Sequence, residues 1–482
     1  MPIKTSKAIL AIVFSLHCSL LFAQISIGTS GTPPHPSAML DVQSTEKGLL
    51  FPRLTSSQRR NVINPAAGLV VYDTEKQALY LFNGLLWKAL AVTDNTPPTA
   101  SITGTDVADG ATGDALGNNV KIYGNYALVG AYNDDIGANT DQGSAYVYRF
   151  ENGAWSQMQK LVANDGASGD NFGAGLGIDS NYLMIGAHSD DVGENLDQGS
   201  VYIFKLENGS WVQKQKITGS NGGSGDIFGI NLTMSKGHAV VGASKDDIAA
   251  AIDAGSAYIF KLNDITGVWS ETQKIYPNDV SGGDTFGNWI SISGDKIIVT
   301  AIYDDANGVY RKGSAYIYTY QANTWVQTAK LVANDGANND NFGTNASIHG
   351  DFVLVGAYNA DATYANQGAC YLFKLENNIW VQKQKIVAAD ATTNGFFGQT
   401  ASLKDNYAII GSHGFNGLQG AAYIFQLNPV INTMTQLQKI TAADPVSNDY
   451  FGYSTDISNG NVIIGAYGKN GQRGKVYFKS ID

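Results

Sequence analysis

The sequence holds only two cysteines, Cys18 and Cys370, among 482 residues. Because Cys18 lies in an amino-terminal segment that we expect to be removed, the mature chain keeps Cys370 alone and can form no intramolecular disulfide. Cys370 stands where a related segment carries Val201. We therefore predict that it is a small, buried apolar residue of a strand.

Charge is also scarce, and positive charge is the scarcer. Charged residues make up 15% of the chain, with 31 Lys and Arg against 42 Asp and Glu and a formal net charge of −11. Binding to nucleic acid depends on clustered Lys and Arg that neutralise phosphates, so we exclude a nucleic-acid partner. Beyond the amino terminus no apolar run approaches the roughly 18 residues that a transmembrane helix needs, so no transmembrane segment is predicted.

Motifs for catalysis are missing as well. Beyond the amino-terminal segment the histidines are His35, His188, His238, His349 and His413, and none belongs to an H-E-x-x-H arrangement. No G-x-S-x-G nucleophile elbow occurs. A carboxylate pair for glycoside hydrolysis stays open, because acidic residues abound and their separations cannot be read from sequence. We predict a protein that is not an enzyme and requires no cofactor.

The amino terminus is predicted to be a secretory leader. Lys4 and Lys7 precede the apolar run of residues 8–16, and Leu20-Leu21-Phe22-Ala23 before Gln24 is typical of a cleavage site. We therefore predict a signal peptide over residues 1–23. The mature protein is then secreted, extracellular or attached to the cell surface.

Residues 24–92 form a separate small module that is mostly β. Segments 68–73, 78–82 and 86–88 predict a meander with Asn83-Gly84 as a hairpin turn, and residues 55–60 predict a capped helical turn. Segments 37–42, 48–53 and 68–72 resemble a short module of secreted bacterial and tail-fibre-like proteins. This resemblance implies surface display or assembly. Residues 93–98, which contain Pro97-Pro98, predict an extended linker.

A short phrase recurs seven times along the rest of the chain. In the second copy it is Asp170-Asn171-Phe172-Gly173, followed by an apolar segment that ends in Gly186-Ala187. The glycine after the aromatic position returns every 54 to 58 residues, at Gly117, Gly173, Gly229, Gly287, Gly343, Gly398 and Gly452. Seven copies at a nearly fixed period of this length indicate a repeat architecture.

Each period contains four extended segments, which in the second copy are residues 172–179, 182–187, 199–206 and 211–217. Four antiparallel strands per period correspond to one propeller blade. The predicted fold is therefore all-β, a seven-bladed β-propeller of four-stranded antiparallel blades over residues 99–482. The last copy has no fourth segment. We predict that a spare strand at residues 99–104 closes the ring beside Val476-Tyr477-Phe478.

Phe172-Gly173 followed by Gly186-Ala187 resembles the FG-GAP repeat, the blade unit of integrin α-chain propellers and of many bacterial surface proteins. The resemblance covers residues 99–482. Several copies depart from it: Leu116 replaces Phe, Gly395 replaces Asp, and Thr300-Ala301 and Gly411-Ser412 replace Gly-Ala. The family's calcium loop needs several carboxylates between the two motifs. Turns such as Asp179-Ser180-Asn181 have at most one, so the calcium site is predicted to be absent.

Acidic residues recur instead in the loop after Gly-Ala. One interpretation is that these carboxylates bond to their own backbone in turns; the other is weak binding of Ca²⁺ or another ligand by the first three blades. The weak candidates for metal binding are Asp134, Asp135, Asp141, Asp190, Asp191, Asp197, Asp246, Asp247 and Asp253.

The residue directly after Gly-Ala should lie on one face of the propeller in every blade. Its copies include Ser244 and Ile302, and the aromatic and imidazole copies are the candidates for ligand binding: Tyr132, His188, Tyr358, His413 and Tyr467. They would bind an extracellular protein or glycan by stacking and hydrogen bonding, or the tyrosines would only shield strand ends. The sequence therefore predicts a secreted binding or adhesion scaffold. Two alternatives are a polysaccharide hydrolase or lyase with its site at the propeller mouth, and a purely structural surface component.

Overall fold

A computed structural model of the chain describes residues 25–28, 40–44, 48–90 and 98–481. The chain divides into two compact units, Met1–Asn95 and Thr96–Asp482. The predicted signal peptide, residues 1–23, lies outside the described residues, and so does the predicted linker except for Pro98.

The amino-terminal unit is built around a small four-stranded sheet. Val71, Tyr80 and Trp87 form its buried core. The predicted helical turn is present, and its Thr55 cap accepts the N–H of Gln58 at 3.1 Å. The elements are the parallel pair Ile25–Gly28 and Leu40–Gln43, the helix Ser56–Arg60, and the sheet strands Arg53–Leu54, Val70–Asp73, Ala78–Phe82 and Trp87–Ala89.

The predicted hairpin of this unit is present, but its turn is longer than two residues. Residues 83–86 separate the last two strands. The Asn83 side chain accepts the N–H groups of Leu85 and Leu86, both at 3.0 Å. An Asx turn therefore organises a connection in which Gly84 has a positive φ of 98°.

Residues 98–481 form seven sheets, one for each copy of the repeat, and this confirms the predicted propeller. The first strands line the centre, and the others follow outward in chain order. The first strands are Val120–Tyr123, Phe172–Asp179, Leu232–Ser235, Phe286–Ser293, Phe342–His349, Phe397–Lys404 and Ser454–Ser458. The second strands are Tyr126–Ala131, Tyr182–Ala187, His238–Ala243, Lys296–Ala301, Phe352–Ala357, Tyr407–Ser412 and Asn461–Gly465.

The outer half of each blade is a longer hairpin. Third strands are Ser144–Glu151, Ser200–Glu207, Ser256–Asn263, Ser314–Gln321, Ala369–Glu376, Ala421–Asn428 and Val476–Ser480. Fourth strands are Ala154–Leu161, Ser210–Ile217, Val268–Ile275, Thr324–Leu331, Ile379–Ile386 and Thr433–Ala442. Short helical turns at Ala306–Gly308, Phe415–Leu418 and Lys469–Gln472 lie between second and third strands. Cys370 is fully buried in the third strand of the fifth blade, as predicted.

The leading strand pairs with a different blade from the one that we predicted. Thr99–Ile102 lies parallel to the fourth strand of the sixth blade, with Lys439 opposite Thr99, and so gives that sheet a fifth strand. Thr105, a few residues later, forms an isolated bridge to the seventh blade opposite Val476, with N···O distances of 2.7 and 3.2 Å. The fourth strand of the sixth blade, Thr433–Ala442, is twice as long as the third strand of the seventh blade, Val476–Ser480. Its outer edge pairs with all four residues of Thr99–Ile102.

The recurring Phe-Gly phrase joins each blade to the one before it. Phe172 is fully buried, and its N–H donates to the carbonyl of Gln142 in the first blade at 2.8 Å. Gly173 has a φ of 107°, and a Cβ there would come within 2.3 Å of the Ser144 carbonyl oxygen. The same bond closes the ring, because the N–H of Leu116 donates to the Arg473 carbonyl at 3.2 Å.

Glutamine side chains join the outer strands of several neighbouring blades. Gln159 Oε1 accepts the N–H of Trp211 at 2.8 Å, and Gln159 Nε2 donates to the Trp211 carbonyl at 2.9 Å. Gln215 binds Trp269, and Gln273 binds Trp325, in the same two-bond arrangement. Each glutamine therefore satisfies the N–H and the C=O of a tryptophan in the next blade. These two groups lie on the outer edge of that blade's fourth strand, where no further strand of the described chain pairs with them.

Candidate binding site at the propeller mouth

One end of the central channel opens into a cavity of about 570 Å³. Tyr132, His188, Tyr358 and His413 line it, together with Ile302. Four of the five residues predicted to bind a ligand are therefore brought together. We call this cavity the mouth.

Tyr467, the fifth predicted residue, reaches the mouth indirectly. Its ring stacks on Tyr450 at 5.0 Å between centroids and meets the edge of Tyr453 at 4.6 Å. Tyr453 itself lines the mouth. Ser244, at the equivalent position in the third blade, is buried and does not line it.

Aromatic residues are concentrated on one side of the mouth. Phe396 stacks on His413 at 5.1 Å and lies 5.8 Å from Tyr358, while His413 lies 5.4 Å from Tyr453. These contacts run across the fifth, sixth and seventh blades. We call the set the aromatic arc; its members are Tyr358, Phe396, His413, Tyr450, Tyr453 and Tyr467. Tyr358, His413 and Tyr453 line the mouth, and the other three pack against them.

Two members of the arc occupy backbone positions that suit asparagine better than an aromatic residue. The residue before the Phe of each Phe-Gly phrase, or before its replacement Leu116, has a positive φ in all seven blades. Asn171 and Asn341 occupy the position in the second and fifth blades, whereas Phe396 has φ 53° and Tyr450 has φ 55°. Left-handed backbone costs roughly 1–2 kcal/mol for an ordinary L-residue. Strain of this kind clusters at functional sites.

The polar groups of the mouth carry no formal charge at neutral pH. Asn118, Asn119, Asn231 and Asn288 contribute amides, and no Asp, Glu, Lys or Arg is among the described residues that line it. Burial lowers the pKa of His413 to about 4, so its imidazole is neutral at pH 7. The aspartates of the loop after Gly-Ala are therefore not among the described residues that line the mouth.

The two mouth histidines resemble each other. Burial also lowers the pKa of His188 to about 4, although Asp197 opposes the shift. The Nδ1 atoms of His188 and His413 are buried and have no hydrogen-bond partner within the described ranges. A hydrogen bond between a ligand and either ring must therefore use the other ring nitrogen, Nε2.

The opposite end of the channel has a different character. A cavity of about 440 Å³ there is lined by charged residues that include Lys121, Asp179, Lys236 and Asp456. Trp289 lines both cavities, and Lys121 Nζ lies 5.4 Å from its ring centroid. The two ends of the channel therefore suit ligands of different charge.

The first aspartate of each acidic loop is bonded within its own blade. Asp134 is buried and accepts the Ser144 hydroxyl at 2.5 Å, and Lys160 Nζ lies 2.7 Å from it. Asp190 and Asp246 are also buried, and each pairs with a lysine of its fourth strand. These three carboxylates are therefore neutralised by neighbouring lysines.

The second aspartate closes the loop. Asp135, Asp191 and Asp247 each accept, at 2.9 Å, the N–H of a residue six positions later. The residues that donate these N–H groups are Asp141, Asp197 and Asp253, the third aspartate of each loop. All three have a positive φ. Nowhere in the described part of the chain do three His, Cys, Asp or Glu side chains lie close enough to hold a metal ion. The structure therefore gives the nine aspartates three separate roles in the loop.

The aspartates of the repeated phrase have raised pKa values. Burial is the main cause for Asp170, Asp226 and Asp284, and a neighbouring loop carboxylate adds to it, so the pKa of each is raised to about 6. In the unfolded chain an aspartate titrates near 4. The folded propeller therefore binds these protons more tightly, and their ionisation removes stability as pH rises from about 4 to about 6.

We expect the triple variant Asp170→Asn, Asp226→Asn, Asp284→Asn to melt at a higher temperature than the native chain at pH 7.5, by roughly 2–4 °C. Asparagine keeps the oxygen that accepts the loop N–H bonds but does not titrate. At pH 4.5 the native carboxylates are largely protonated, so the difference should shrink. Calorimetry at both values is the measurement, and a difference that grows at pH 4.5 would contradict the assignment. The histidines are unchanged and cancel in the comparison.

Together these features define a class: a seven-bladed β-propeller with an uncharged, aromatic mouth at one end of its channel. A family model described as the FG-GAP repeat matches seven stretches that cover more than half of the chain, so the protein belongs to the FG-GAP repeat family and the predicted resemblance is confirmed. The matched residues are 102–148, 155–204, 211–260, 269–318, 325–373, 380–425 and 434–478.

The amino-terminal region matches a second family model. It is described as a phage tail like trimerisation region and covers residues 26–105. This match confirms the predicted resemblance to a tail-fibre-like module. Among the described residues, no helix is both long enough and apolar enough to span a membrane.

Solved structures with a similar chain path are distant in sequence. The WD40 repeats of RRP9 are 10% identical, with a TM-score of 0.47 over 80% of this chain and 99% of that one. A Lactobacillus plantarum protein is 12% identical, with a TM-score of 0.47 over 74% and 92%. A putative 6-phosphogluconolactonase from Bacteroides fragilis is 11% identical, with a TM-score of 0.46 over 77% and 92%. No curated protein matches the chain.

Proposed function

We propose that the protein is a non-catalytic surface or extracellular scaffold that binds an uncharged glycan, or an uncharged segment of a protein, at the mouth. The aromatic arc carries this proposal. Its rings are half-buried and fixed by one another, so they lose little conformational freedom when a ligand stacks on them. Amides and neutral imidazoles beside them supply hydrogen bonds without charge.

The charge distribution favours a glycan over an acidic or basic peptide. Among the described residues that line the mouth, no charged side chain would pair with a charged ligand, and a buried charge without a partner is costly. Hydrolysis by a carboxylate pair would need two acidic groups facing the ligand, and the lining of the mouth supplies none among the described residues. Binding is therefore the better-supported reading of this cavity.

Oligomerisation through the amino-terminal region would strengthen such binding. The phage tail like trimerisation match motivates this part of the proposal. Three mouths on one assembly would raise the avidity for a repeating polymer well above the affinity of a single mouth. We propose that a secreted or surface-attached trimer presents three propellers.

The test is a glycan array probed with the full chain, with light scattering to measure its mass. We expect uncharged glycans to bind, acidic ones to bind weakly, and the mass to be three times that of one chain. Binding confined to acidic glycans, or no binding on glycan and peptide arrays, would refute the mouth as a binding site. A monomeric mass would refute only the trimer.

A further inference from the structure

The seventh blade has an edge that fourth strands cover in the other blades. Its sheet has three strands within residues 98–481, and Thr105 forms the one bridge to the outer side of the third strand. Backbone groups along a strand point alternately to its two neighbours. The N–H groups of Phe478 and Ser480 therefore face the same outer side as that of Val476. In the described chain no backbone carbonyl accepts them there.

The first blade leaves a matching gap. The backbone of Trp211 is bonded at both N–H and C=O by Gln159 of the preceding blade. Trp155 is the residue of the first blade that is equivalent to Trp211. In the seventh blade, Thr103 lies at the place that Gln159 occupies in the first. Across residues 98–481 nothing bonds the Trp155 backbone in this way. Two sets of backbone groups on adjacent blades therefore lack the partners that their counterparts have.

A groove lies between these two edges. Its volume is about 320 Å³, and Thr103, Phe150, Trp155, Phe478 and Ser480 are among the residues that line it. Trp155 and Phe478 stack face to face, with centroids 4.8 Å apart and planes at 10°. The groove thus combines an apolar aromatic wall with unused backbone donors, which is the chemistry of a strand-accepting site.

We propose that this groove accepts an extended polypeptide strand of a partner protein, which pairs antiparallel with residues 478–480. The other blades define the occupant, because the same place is filled by strands with a Trp-x-Gln pattern in the first, second, fourth and fifth blades. In the second blade Val212 lies opposite Lys205, and Trp211 lies opposite Leu206. Ser480 occupies the place of Lys205 in the repeat. The partner strand therefore has an aromatic residue followed two positions later by glutamine.

The probe is a blocked, fluorescently labelled peptide with the sequence of residues 209–214, Gly-Ser-Trp-Val-Gln-Lys, titrated into the full chain and followed by anisotropy. We expect saturable binding. N-methylation of the valine amide, which faces Ser480, should weaken binding at least tenfold. N-methylation of the tryptophan amide, which faces away from the third strand, is the matched control and should weaken it much less.

A variant of the protein tests the same contact from the other side. Ser480→Pro removes the N–H that faces the groove, and proline is tolerated on a strand edge where that N–H has no sheet partner. We expect an unchanged melting temperature and at least a tenfold loss of peptide binding. No binding of the unmodified peptide, or equal weakening by the two methylated peptides, would overturn the proposal. Undiminished binding to Ser480→Pro would overturn it as well.

Discussion

Replacing Asp73 by alanine is expected to unfold the amino-terminal unit while the propeller stays folded. Asp73 is fully buried and lies 2.9 Å from Arg59 Nε, itself 2% exposed. Breaking a buried ion pair from one side costs about 3–5 kcal/mol, because the remaining charge is left unpaired. A unit whose buried core holds three residues has little stability in reserve.

The surroundings of Asp73 explain why this one side chain matters. Its carboxylate also accepts the Ser56 hydroxyl and the N–H groups of Glu75 and Lys76. Burial alone would raise the pKa of Asp73, but the bonds from Lys76, Arg59 and Ser56 outweigh it and bring the pKa down to about 2. The stabilisation is therefore complete above pH 4 and is lost as pH falls toward 2.

Hydrogen exchange followed by mass spectrometry on the full chain measures this prediction. Peptides from residues 53–89 of Asp73→Ala should lose protection, while peptides from residues 172–465 keep it. Lys88→Ala is the control, since the exposed Lys88 side chain belongs to the same sheet but lies outside the Asp73 network. Unchanged protection in residues 53–89 of Asp73→Ala would show that the ion pair is dispensable.

The propeller could be predicted because its information is local and repeated. The second strand of the second blade, Tyr182–Ala187, has the predicted bounds, and the third, Ser200–Glu207, differs by one residue at each end. Apolar alternation and turn residues specify such hairpins within a few positions. The partner of Thr99–Ile102 could not be predicted in this way, because an edge strand pairs through backbone groups that every residue carries.

The position of the site could be predicted from the sequence, but several of the residues that form it could not. The residue after Gly-Ala does reach the mouth in several blades, because the end of the second strand lies beside the channel. Phe396, Tyr450 and Tyr453 are not among the predicted residues, because they flank the Phe-Gly phrase and the prediction used only the position after Gly-Ala. The nearby Asp190 turns into its blade toward Lys216. The direction in which a loop side chain points depends on the folded blade, so it cannot be read from the sequence.

Replacing Phe396 and Tyr450 together by asparagine is expected to weaken ligand binding strongly while leaving the propeller as stable as before. Asparagine adopts the left-handed backbone more readily, and Asn171 and Asn341 already occupy the position in other blades. The strain relieved, about 1 kcal/mol at each site, offsets the lost aromatic contacts of about 0.5–1.5 kcal/mol. Phe396 and Tyr450 both pack against His413, which lines the mouth. Losing the two rings that fix it costs about 2 kcal/mol or more of binding, which is a loss on the order of thirtyfold in affinity.

Thr285→Asn is the matched control. Thr285 has the same backbone conformation, with φ 58°, but belongs to the fourth blade, outside the aromatic arc. A β-branched residue is poorly suited to positive φ, so this variant should melt slightly higher and bind the array-identified glycan with native affinity. Titration calorimetry of the three proteins separates the two effects. If Thr285→Asn loses as much affinity as the double variant, the backbone of the repeat governs binding; if the double variant keeps its affinity, the ligand does not stack on the arc.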